Sequence, residues 1–163
     1  MKLFIKYLFQ ILDWKKYIYI LKHINQVNVA ENREFQKMFN GFFETAKVQN
    51  PSFDEIIEEL YHRTGRLEAS FSSKMLANID DSKPIWDSFV LNALDFKNPL
   101  PSMPKLEQMK RKIEIYHKID RWYVDYLKTE NAQECITKFN EILPEYTWIS
   151  DVKKIDCFLW NMR

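Results

Sequence analysis

Residues 52–65 read Ser-Phe-Asp-Glu-Ile-Ile-Glu-Glu-Leu-Tyr-His-Arg-Thr-Gly, and this stretch carries a complete set of helix signals. Ser52 stands three residues before Glu55, the spacing at which the two side chains satisfy each other's orphan backbone N–H groups in a capping box. Phe53, Ile56, Ile57, Leu60 and Tyr61 then recur at i, i+3, i+4, i+7 and i+8, which puts them on one face of a helix. Gly65 accepts the left-handed backbone that closes such a helix, so the element is expected to stop near Thr64.

The same periodicity runs outward in both directions. Toward the N-terminus, Phe35, Met38, Phe39, Phe42, Phe43 and Ala46 predict a helix over 31–48, with Gly41 as a weak point. Leu3, Phe4, Tyr7, Leu8, Ile11 and Leu12, extended by Trp14, Ile18 and Leu21, predict one or two amphipathic helices over 2–24. Toward the C-terminus, a helix is expected within 67–79 and a short one through Phe89, Val90 and Leu94. A long helix follows over 105–128, with Leu106, Met109, Ile113, Tyr116, Ile119, Tyr123 and Leu127 inward. Another covers 131–143 and stops at Pro144. Ser150 or Asp151 caps the last, whose buried stripe is Val152, Ile155, Phe158, Leu159 and Met162. No segment alternates with a period of two between turn signals. The expected fold is therefore all-α, an irregular compact bundle of seven or eight helices.

Composition narrows the function classes. The chain has 163 residues, the size of one domain, and only two glycines, Gly41 and Gly65. That scarcity excludes a P-loop or a dinucleotide fingerprint, both of which need glycine where backbone approaches phosphate. Pro99, Pro101 and Pro104 break the chain near residues 98–104, but the break is too short to separate two domains. We therefore read residues 1–163 as a single helical domain. Cys135 and Cys157 are the only cysteines, too few for a disulfide framework and without metal-site spacing. They are expected to be free core thiols in a reducing compartment. The longest uncharged run near the start, Tyr7 to Leu12, is too short for a signal peptide or a membrane span. A cytoplasmic location without membrane contact is the resulting expectation.

Net charge is +1, so no global field gathers nucleic acid. Charge is nevertheless uneven. Lys2, Lys6, Lys15, Lys16 and Lys22 face Asp13 alone within the first 30 residues. Lys105, Lys110, Arg111, Lys112, Lys118 and Arg121 outnumber the acids of their helix, and Asp54, Glu55, Glu58 and Glu59 form an acidic block. Such blocks are ordinarily solvated helix faces. Glu59-x-x-His62 and Glu114-x-x-His117 repeat the spacing of helical carboxylate metal sites, yet bridging glutamates are not evident, and no metal or other cofactor is assigned. Trp86, Trp122, Tyr123, Tyr126, Trp148 and Trp160 have the spacing of core residues, although aromatics of this kind also stack unpaired bases.

One constellation points toward chemistry. The segments Ser70-Phe71-Ser72-Ser73-Lys74-Met75-Leu76-Ala77 and Lys83-Pro84-Ile85-Trp86-Asp87-Ser88-Phe89-Val90 together resemble, in degenerate form, the helix-hairpin-helix DNA glycosylase superfamily. The similarity covers about residues 66–95. The same Ser-Lys and Pro-Ile-Trp-Asp segments are also similar to those of a family of bacterial all-helical proteins with no assigned function. The glycosylase resemblance implies that Lys74 is a nucleophile and that Asp87 supports the transition state. It implies further that Ser70, Ser72 and Ser73 occupy the phosphate-facing hairpin. Lys110, Arg111 and Lys112 are the accompanying candidates for phosphate contact. The partner implied is DNA with a damaged or flipped nucleotide, bound weakly and in a salt-sensitive way.

The chain departs from that pattern in three places. Both hairpin glycines are serines, the family's histidine is Phe89, and the connection from Lys74 to Asp87 is short. Read from the residues alone, Lys74 and Asp87 also fit an interhelical ion pair, and Asp87 fits the cap of a helix starting at Ser88. On that reading the chain is a non-enzymatic helical interaction protein that keeps the architecture without the chemistry.

Overall fold

The computed structural model describes residues 33–161. Within them the chain forms seven α-helices: α1 (Arg33–Gln49), α2 (Phe53–Thr64), α3 (Ala69–Ile79), α4 (Ser88–Ala93), α5 (Lys105–Tyr126), α6 (Glu130–Ile142) and α7 (Asp151–Asn161). A single 3-10 turn, Pro144–Tyr146, joins α6 to α7. No strand occurs among the described residues. The helices expected over 2–24, and the inward placement of Met162, lie outside the described residues.

The helix boundaries follow from local chemistry. Ser52 Oγ accepts the Glu55 N–H while Glu55 returns a 2.7 Å bond from the Ser52 N–H. The pairing holds the Glu55 carboxyl below its ordinary range, with the Ser52 backbone bond as the main cause. Gly65 closes α2 at φ 67, with its N–H on the Tyr61 carbonyl. Thr129 caps α6 by accepting the Ala132 N–H. α1 passes through Gly41 without a break, and a Cβ there would meet nothing within 4 Å. Solvent on that side explains why a glycine at this position costs the helix only its own backbone entropy.

The apolar faces converge on one core. It draws Phe42 and Ala46 from α1, Ile56, Ile57 and Leu60 from α2, and Met75 from α3. Val90, Tyr116, Ile119, Tyr123, Ile136 and Ile155 complete it from α4 to α7. Phe53 stacks on Tyr116 with ring centroids 3.8 Å apart, fastening α2 to α5. A smaller cluster of Ala77, Ile85, Phe139, Leu143, Ile149 and Cys157 fills the seam between the end of α3 and the α6–α7 turn.

Two inward assignments are corrected. Leu106 is 61% exposed, because it sits in the first turn of α5, ahead of the point where that helix meets the core. Trp148 is 63% exposed, its indole N–H turned back onto the Glu145 carbonyl of its own turn. Trp86 and Tyr123 are buried as expected, and Trp122 lies flat on Tyr126 at 4.6 Å. Both cysteines are buried, and neither is in a disulfide. No described helix is long and apolar enough to cross a membrane.

Candidate functional site

The segments that carry Lys74 and Asp87 meet where α3 crosses the start of α4. The reversal between α2 and α3 falls at Gly65, so Ser70, Ser72, Ser73 and Lys74 all lie inside α3 rather than in a turn before it. The N–H of Ser72 is bonded to the Glu68 carbonyl at 2.8 Å and those of Ser73 and Lys74 lie within the helix, whereas Ser70 sits in the first turn, whose N–H groups have no intrahelical acceptor. Ser72 and Ser73 are wholly buried, and Ser70 is half-buried. The Ser72 hydroxyl donates to the Glu68 carbonyl at 2.9 Å. The Ser73 hydroxyl donates to the Ser70 carbonyl at 3.0 Å and accepts the Trp86 N–H at 2.8 Å. That last bond ties α3 to the extended segment leading into α4.

Asp87 is the N-cap of α4. One carboxylate oxygen accepts the N–H groups of Phe89 and Val90 at 2.8 and 2.9 Å, consuming the orphan donors of that short helix. Lys74 is half-buried beside Phe71, its Nζ 5.9 Å from the ring centroid. Burial pulls the Lys74 amine below its ordinary value, and the field of Asp87 partly opposes this. The two side chains therefore share an electrostatic neighbourhood. Among the described residues, however, no carboxylate lies within 4.0 Å of the Lys74 amine.

Beyond Asp87 lies a set of charged groups that helical periodicity did not reveal. Asp156, on α7, is 1% exposed. One of its carboxylate oxygens accepts the Tyr123 hydroxyl of α5 in a short bond. The other has no hydrogen-bond partner and lies 3.5 Å from Lys153 Nζ. Lys153 is itself 6% exposed and donates to the Lys83 carbonyl at 2.7 Å. Lys83 in turn pairs with Asp120 of α5 at 3.1 Å. Burial pushes the Asp156 carboxyl up to about 6, with Lys153 and Tyr123 pulling down and Asp87 pushing up. Lys153 is drawn down by burial and held up chiefly by Asp156. In the sequence this pair reads as an ordinary surface i, i+3 pair. The one available signal was that Lys153, Lys154 and Asp156 interrupt an otherwise apolar helix.

The remaining candidates disperse. Lys110 and Arg111 are exposed on α5, and Arg111 reaches Glu107 at 3.8 Å. Lys112 instead turns inward over the Trp86 ring at 5.3 Å, where burial lowers its amine. Glu59 pairs with Arg63 at 2.6 Å, and His117 pairs with Asp54 of α2 at 2.9 Å. No group of three or more His, Cys, Asp or Glu side chains is placed to hold a metal among the described residues. Compared with known proteins, the chain matches no family model, no curated protein and no solved structure.

Proposed function

We propose that this chain is a non-enzymatic helical interaction protein that carries the Lys74 and Asp87 order of a glycosylase-like centre without its chemistry. The observation that carries this reading is the buried Ser73 hydroxyl, which accepts the Trp86 N–H at 2.8 Å. Ser73, in the segment that would face phosphate, joins α3 to the stretch leading into α4, and one carboxylate oxygen of Asp87 caps α4. Leu100 and Leu106, both exposed, neighbour Lys105 and Lys110 in the chain.

A second reading keeps DNA as the partner, with Lys74 as nucleophile, Asp87 as transition-state support, and Lys110 and Arg111 on phosphates. It is favoured by one feature. Burial draws the Lys74 amine below its ordinary value, and among the described residues no carboxylate lies within 4.0 Å of it, which favours the free amine that acts as a nucleophile.

One experiment separates the two. Fluorescence anisotropy at low salt compares a duplex carrying an abasic analogue with the same undamaged duplex, and borohydride trapping is run on a natural abasic duplex. The interaction reading expects equal, weak binding and no covalent adduct. Preference for the abasic duplex, or a trapped adduct lost in Lys74→Ala, overturns it in favour of the DNA reading.

A further inference from the structure

No further inference is drawn: the strongest candidate, the exposed apolar loop around Leu100 that the Gln108 amide pins through the Pro101 and Met103 carbonyls ahead of α5, carries nothing because nothing in the structure shows what covers it.

Discussion

Helices α2 and α7 are of nearly equal length, 12 and 11 residues, and both mix apolar with charged side chains, yet they are held by different physics. α2 obeys the amphipathic rule. Phe53, Ile56, Ile57 and Leu60 are buried, while Glu55, Glu58, His62 and Arg63 face water. α7 is buried on nearly every side from Val152 to Cys157, with Lys153, Lys154 and Asp156 inside the core boundary. An amphipathic helix can sit at the edge of a bundle, where its charges cost nothing. A helix placed between α4, α5 and α6 has no wet face, so its charges must find partners in the protein. The comparison teaches that a charged residue marks a solvated face only while the helix has one.

The largest expected effect separates the two helices most sharply. Lys153→Met should destabilise the chain by about 3–5 kcal/mol at pH 7.5, because it strands Asp156 without the only close cation it has among the described residues. Substituting the solvated pair on α2, Arg63→Met, should cost under about 1 kcal/mol. Urea midpoints with unchanged slopes check both, and similar costs at the two positions would break the contrast.

Next come the apolar anchors, where the two helices should behave alike. Ile57 and Ile155 are both essentially unexposed. Ile57→Ala and Ile155→Ala should each cost about 2–4 kcal/mol, through lost transfer energy and the cavity left behind. Thermal unfolding of the two variants measures this, and a cost well below 1 kcal/mol at Ile155 would mean that α7 is not docked as described.

The smallest effect sharpens the α2 side. Ser52→Ala removes half of the capping box and should cost about 1 kcal/mol. It should also release Glu55 in part toward its ordinary pKa, because the Ser52 hydroxyl bond is lost while the larger cause, the backbone N–H of residue 52, remains. Stability that depends on this lowered carboxyl is present at neutral pH and lost as pH falls through the folded value. The wild-type advantage over Ser52→Ala should therefore shrink in acid, which a pH series of urea midpoints would show.

Much of the helix plan was legible because it rests on local rules. The capping box at Ser52 and Glu55, the left-handed Gly65 and the proline run before Lys105 each act within a few residues. The limits they set agree with the observed helices to within a few residues. Legibility failed where position in the bundle mattered. Leu106 fits the apolar stripe of α5 and is exposed, since the stripe begins before the core does. Lys112 belongs to a basic run and packs over Trp86, because α5 presents that one turn to the α3–α4 connection.

The candidate site divides in the same way. Asp87 as the cap of a helix beginning at Ser88 is a three-residue relationship, and the sequence could carry it. The burial of Ser72 and Ser73, and the commitment of Ser73 to Trp86, join residues 13 apart in the chain and needed the packing of α3. The Asp156 cluster needed more still. Tyr123 and Asp156 are 33 residues apart, and Lys153 reaches the Lys83 carbonyl across 70.

From the sequence alone came the all-α class, the order of the described helices, the caps at Ser52, Gly65 and Asp87, and most of the apolar faces. These depend on backbone propensity and side-chain periodicity, which act over one or two turns. Only the tertiary structure decided which charges are dry. Desolvation depends on every neighbour at once, and no pattern within a single helix records what another helix will lay over it.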